Sequence, residues 1–127
     1  MSTADGNVSA YTIAPWLSVR DGKRAVEFYQ TAFQAQEVYH IEDPEGAIVS
    51  RLSVHGAEFW VSDDPGAENG NSVRMILQVE NPDEVFAQAL NAGASEVYPM
   101  ADAHGWRVGR LADPFGFHWE IARSYEV

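Results

Sequence analysis

The sequence predicts an α+β fold: two pseudo-symmetric βαβββ modules forming a curled, cup-like mixed sheet with helices on its outer face. Three observations predict it. Short stretches recur. Arg51-Leu52 returns as Arg110-Leu111 and Glu37-Val38-Tyr39 as Glu96-Val97-Tyr98, both 59 positions later, and Leu17-Ser18-Val19 answers Leu77-Gln78-Val79 at 60. Matches at nearly one spacing mark an internal duplication, and two copies are too few for a solenoid. In each copy a short strand is followed by a helical pattern and then by three alternating runs. The segment from Arg110 to Ala122, around which both copies are organised, reads as a strand end, a turn at Asp113-Pro114-Phe115-Gly116, and a last strand. Pro114 presets its own φ and Gly116 closes the turn. Beyond it Phe117, Trp119 and Ile121 share one face, and His118, Glu120 and Ala122 the other.

The elements follow in order. Residues 1 to 10 read as a flexible polar tail, and 11 to 127 as one domain. Tyr11 to Val19 is a strand with Pro15, Leu17 and Val19 on one face and Ala14, Trp16 and Ser18 on the other. Asp21 caps a helix to about Phe33, whose stripe is Ala25, Val26, Phe28, Tyr29, Ala32 and Phe33. Gln36 to Ile41 is a strand, Asp43-Pro44-Glu45-Gly46 a tight turn, Ala47 to Val54 a strand, His55-Gly56 a turn, and Ala57 to Ser62 a strand. This is the first module, 11 to 62. Residues 63 to 71, with Asp-Asp-Pro-Gly and Asn-Gly-Asn, are the linker. The second module, 72 to 123, opens with a strand from Ser72 to Val79. Asn81 caps a helix from Pro82 to Ala92, with Pro82 at its first position and Gly93 just past its end. Strands follow at 95 to 100, 105 to 111 and 117 to 122.

The totals exclude several classes. The 127 residues suffice for one core without staples, and no cysteine is present. There is therefore no disulfide framework and no thiolate chemistry. No long apolar run or basic leader occurs, so no membrane span or signal peptide is expected, and the reading is cytoplasmic. The net charge is −11, with eight Lys and Arg spread along the chain. That leaves no basic face for nucleic acid. It points instead to a cationic partner or to simple solubility. Four Trp, five Tyr and six Phe supply core and possible stacking surfaces.

Several stretches resemble the glyoxalase/bleomycin-resistance/dioxygenase superfamily, the vicinal oxygen chelate fold, over about residues 11 to 123. They are Pro15-Trp-Leu-Ser-Val-Arg-Asp21, Ala25-Val-Glu-Phe-Tyr29, Ala32-Phe33, Asp43-Pro-Glu-Gly46 and Asp113-Pro-Phe-Gly116 with Trp119. The likeness is narrower to its PhnB-like branch. The resemblance implies a cup that in many members holds a divalent ion, with one ligand from the first and last strand of each half. Carried over, those positions fall at Ala14, Arg74, Val61 (or Trp60, one register step away) and Glu120. One carboxylate in four cannot hold a zinc-type ion, so no metal and no cofactor is expected. Where the PhnB-like branch has His-Ala-Glu-Leu this chain has Val49-Ser50-Arg51-Leu52. Gly105-Trp106-Arg107 replaces an Asp-bearing run, and Phe117 stands where that branch has His.

The candidate residues follow. Glu120 and Arg74 are the central pair, either as a structural ion pair or as a clamp in which Arg74 holds a carboxylate or phosphate. Arg51, on the strand face of Val49 and Ser53, is expected to join Arg74 and Glu120. Trp16 and Phe59 take the cleft parity of their strands, and Trp106 sits beside a glycine; all three suit a flat ligand. Phe28, Tyr29, Phe33, Trp60, Phe117 and Trp119 are assigned to the core. His118, two residues from Glu120, makes the two the catalytic candidates for acid/base work. His40, His55 and His104 sit in turns or on edges. The leading function is metal-free sequestration of an aromatic compound, with acidity favouring a cationic one, by a homodimer, similar to bleomycin-resistance proteins. The alternatives are a lyase, isomerase or dioxygenase-like enzyme using Glu120 and His118, with or without an atypical divalent metal, and a non-catalytic scaffold whose cup is filled.

Overall fold

A computed structural model describes residues 14–68 and 74–125. The chain runs β1 (Trp16–Val19), α1 (Gly22–Phe33), β2 (Gln36–Glu42), β3 (Ile48–Val54) and β4 (Ala57–Asp63). A second round follows: β5 (Arg74–Gln78), α2 (Pro82–Asn91), β6 (Ser95–Ala103), β7 (Trp106–Ala112) and β8 (His118–Ser124). Both predicted βαβββ modules are present. The mixed sheet consists of two four-stranded sheets, ordered β1-β4-β3-β2 and β5-β8-β7-β6. In each, the first and last strands of the module pair in parallel and the other neighbours are antiparallel.

Local chemistry explains the boundaries. The predicted first strand begins at Tyr11, but 11 to 13, like the tail 1 to 10, lie outside the described residues. Pro15 has no N–H to give, yet its carbonyl accepts from Trp60 N at 2.9 Å, so pairing begins there. Asp63, expected in the linker, is the last residue of β4. Its Oδ1 accepts from Gly22 N and its Oδ2 from Ile48 N, both at 2.7 Å, which ties the start of α1 to β3. Residues 69 to 71 of the linker, and 72 and 73 of the next predicted strand, lie outside the described residues. In α1 the Asp21 side chain accepts from Arg24 N at 3.2 Å, as a cap does. β6 runs past Pro99 because it is an edge strand, and its ladder breaks between Tyr98 and Ala101.

The two modules use the same two turns in opposite hairpins. An Asp-Pro-x-Gly turn joins β2 to β3 (Asp43 to Gly46) and β7 to β8 (Asp113 to Gly116). In both, the Asp Oδ1 accepts two backbone N–H groups at 2.9 to 3.0 Å. A two-residue His-Gly turn joins β3 to β4 and β6 to β7. His55 and Gly56 have φ of 50° and 94°, and His104 and Gly105 have 53° and 83°. Two consecutive positive φ values suit the twist of a tight hairpin. This exchange has a consequence for register. Arg51 pairs with Trp60, nine residues on, whereas Arg110 pairs with Glu120, ten residues on. The structural counterpart of Trp119 is therefore Phe59, and the counterpart of Trp60 is Glu120. At the 59-residue offset of the repeats Trp60 would match Trp119, and that match is off by one.

The core lies on the helix-bearing face of both sheets. β3 alternates strictly, with Ile48, Ser50, Leu52 and Val54 buried. An aromatic cluster joins the modules: Phe33 and Trp119 lie 4.9 Å apart, Tyr29 and Phe59 5.1 Å, and Phe59 and Trp119 5.3 Å. α1 also packs on α2, where Gln88 Nε2 donates to the Thr31 carbonyl at 2.7 Å. Among the described residues no helix is long and apolar enough to cross a membrane.

Buried Asp113 is the polar knot of this core. Its Oδ2 accepts from the Tyr29 hydroxyl at 2.5 Å and from Trp119 Nε1 at 2.8 Å. Burial, then the charge of Asp113, hold the Tyr29 phenol well above its ordinary value of 10.0. The unfolded chain then ionises first as pH rises past 10, so the stability this tyrosine contributes is complete below pH 10 and falls above it. Chemical denaturation between pH 9 and 11 is expected to show a loss approaching about 1.4 kcal/mol per pH unit from this group. Tyr29→Phe should remove that component of the slope. An unchanged slope in the variant would place the titration elsewhere.

Candidate functional site

With the helices on one face, each sheet leaves its other face open. Register puts four side chains in a row across the first open face, one per strand: Trp16, Trp60, Arg51 and Tyr39. They touch. Trp16 and Trp60 stack with centroids 5.5 Å apart and planes 19° apart, and Tyr39 meets Trp60 edge-on at 5.6 Å. The Arg51 guanidinium lies over Trp60, 5.3 Å from the ring centroid. Trp16 Nε1 donates to Ser62 Oγ at 2.9 Å, which fixes the indole, although 54 % of Trp16 stays exposed. Arg51 Nε lies 3.5 Å from Glu58 Oε1, but this is an ion pair only. The Nε atom is buried and makes no hydrogen bond.

The matching row on the second sheet is Ile76, Glu120, Arg110 and Tyr98. Arg74 and His118 stand beside it, themselves register partners. Arg74 Nε meets Glu120 Oε2 at 2.9 Å, as the sequence led one to expect. Arg110 Nε donates to His118 Nδ1 at 3.0 Å and its guanidinium lies over Tyr98 at 5.8 Å. Because Nδ1 accepts, the imidazole carries its proton on Nε2. Glu120 and His118, the catalytic candidates, are thus each held by an arginine. That arrangement orients and binds; it does not present a free general base.

The structure sorts the sequence candidates. Trp16 and Arg51 share the first open face, while Arg74, Glu120, His118 and Trp106 share the second. Trp106 stands at the start of β7, in register with Ala103 and Ser124 and away from the row. Phe59 is corrected: it lies on the helix face, 4 % exposed, inside the aromatic cluster. Trp60 is corrected in the opposite sense, from core to open face. One residue of register exchanges the two, because successive side chains of a strand point to opposite sides. Four residues escaped the sequence reading as site residues: Trp60, Tyr39, Arg110 and Tyr98. The signal was there. Arg51/Arg110 and Tyr39/Tyr98 are the repeated residues themselves, and a repeat on the open face is not needed for a core.

The family's metal does not fit these residues. Val61 is fully buried on the helix face, so the fourth carried-over position is Trp60. An indole, a guanidinium, the methyl of Ala14 and one ion-paired carboxylate are not a ligand set for a divalent cation. Among the described residues no three His, Asp or Glu side chains are grouped to hold an ion. A cleft of about 580 Å³ lies at the junction of the α1 C-terminus, the β3–β4 turn, β5 and the start of α2, with Ile76 of the second row among its lining residues. Glu80 and Glu84 line it and no Lys or Arg does.

A family model described as a glyoxalase-like domain matches residues 15–122. The chain belongs to this glyoxalase-like family. An uncharacterized Mycobacterium bovis protein, Mb0911c, is 34 % identical over 124 residues, covering 87 % of this chain and 82 % of that one. Among solved structures, the fosfomycin resistance protein FosX of Listeria monocytogenes superposes with a TM-score of 0.75 at 16 % identity, covering 93 % of this chain and 95 % of its own. TioX from Micromonospora sp. ML1 gives 0.73 at 25 % identity, covering 91 % and 99 %. The vicinal oxygen chelate fold expected from the sequence is thereby shown. FosX has been crystallised with Mn(II). At the positions that the resemblance assigned to metal donors, this glyoxalase-like chain carries Arg74 and the Trp60 indole.

Proposed function

We propose that this glyoxalase-like protein binds a small aromatic organic molecule without a metal ion, as a sequestering rather than a catalytic protein. The observation that carries this reading is the row Trp16–Trp60–Arg51–Tyr39. It is a flat aromatic shelf with one anchored cation, on a face that no helix covers. Indole faces stack on flat ligands with little entropy to lose, because the Trp16–Trp60 stack is already formed. A shelf is not a pocket, so a second surface must close it. A second copy of the chain is the natural source. Trp16, Tyr39 and Ile41 on one open face, and Ile76 and Tyr98 on the other, are all more than 40 % exposed, which is much apolar surface for a solvated sheet. The reading is therefore of a homodimer, placed in the cytoplasm, acting on a compound as a drug-sequestering protein does.

The test is a thermal-shift and calorimetric screen of flat aromatic compounds, with EDTA present throughout. A ligand at about 100 times its Kd stabilises the native state by about 2.7 kcal/mol, so Tm should rise by several degrees. Trp60→Ala should abolish the response. Stabilisation that requires a divalent ion, or none from any aromatic compound, would remove the reading.

A further inference from the structure

We infer that the ligand of the first open face is an aromatic carboxylate and that Arg51 is the seat of its carboxyl group. This rests on the small-molecule reading above and narrows it. The buried Nε–H of Arg51 lacks an acceptor, because Glu58 at 3.5 Å is too distant to serve. Buried donors are nearly always satisfied, and an orphan calls for an explanation. The chain satisfies an arginine where the role is structural. Arg107 holds Asp83 in a two-toothed pair at 2.9 and 2.7 Å. Arg51 has instead only the long ion pair to Glu58, and its guanidinium plane, stacked on Trp60, is oriented in advance.

Charge distribution agrees. The protein has 19 acids to eight Lys and Arg. Three of those eight, Arg51, Arg74 and Arg110, nevertheless lie on the open faces, with Glu58 and Glu120 as the acids pairing there. On the first open face Arg51 stands against one acid, Glu58, at 3.5 Å, where the whole chain has more than two acids for each Lys or Arg. Trp60 touches both Arg51 and the half-exposed Trp16, so a planar ring can extend the indole stack while its carboxylate meets the open part of the guanidinium.

The test uses three probes of one shape: 2-naphthoate, 2-naphthamide and 2-naphthylmethylammonium. Binding is measured by calorimetry on the full chain. The naphthoate is expected to bind about tenfold or more tightly than the amide, with the ammonium weakest. Arg51→Gln should bring the naphthoate down to the amide while leaving amide affinity unchanged. Arg51→Lys should recover part of the difference, since it keeps the charge and loses the fork. Tm of each unliganded variant checks folding. An ammonium that binds best would overturn the inference and leave the small-molecule reading standing. Three silent probes would remove both. A naphthoate preference that survives Arg51→Gln and vanishes in Arg110→Gln would overturn the seat assigned here.

Discussion

Asp113→Asn will destabilise the fold by about 2–4 kcal/mol, a large share of a total of about 5–15 kcal/mol for a domain of this size. Asp113 is 5 % exposed, and all four of its contacts come from donors: Phe115 N, Phe117 N, the Tyr29 hydroxyl and Trp119 Nε1. Burial raises the carboxyl above its ordinary value, and the four donors pull it back only in part. A neutral asparagine escapes that desolvation cost. It still loses, because one of its two heads is an NH₂ group pointed at donors. The Tyr29 hydroxyl can turn and accept; an indole or backbone N–H cannot, and is left unpaired in the core. Guanidinium chloride unfolding followed by tryptophan fluorescence measures the effect, since Trp119 reports on the site. Asp43 provides the control. It sits in the same Asp-Pro-x-Gly turn with the same two backbone donors but faces solvent. Asp43→Asn should cost a small fraction of the Asp113 loss. Equal losses would show that the turn, and not the buried knot, is what matters.

Adjacent residues of β4 will behave in opposite ways. Phe59→Ala is expected to lower stability by about 3–5 kcal/mol, the usual cost of emptying an aromatic site in a packed core. Phe59 is 4 % exposed and contacts both Tyr29 and Trp119. Trp60→Ala should cost far less, because the lost ring lies on the open face against Trp16, Tyr39 and Arg51. Its loss should instead remove aromatic-ligand binding. Paired denaturation curves and calorimetric titrations on the two variants decide the matter. A destabilised Trp60→Ala beside a tolerant Phe59→Ala would reverse the register of β4 and with it the site.

The alternation of apolar residues and the placement of Pro and Gly made most elements legible. α1 could be read from its stripe and its Asp21 cap, and both hairpin types from Asp-Pro-x-Gly and His-Gly. The open-face ion pair of Arg74 and Glu120 was legible through the family resemblance, which assigns both positions to the cup. The side on which Phe59 and Trp60 point was not. Both are large aromatics that suit either face, so composition offers no preference between them. The offset between the copies suggested Trp60 as the partner of Trp119, and a turn one register step longer in the second module misdirected that match.

The chain's own sequence therefore determined the βαβββ duplication, the turns and the helix stripes. Each is a local property of residue type and spacing. The tertiary structure decided which indole belongs to the core, and which arginine pairs with which acid. It also left the buried Nε of Arg51 without a hydrogen bond. Those outcomes depend on strand register, which is set by turn length and by the aromatic cluster that joins the two modules across the helix faces.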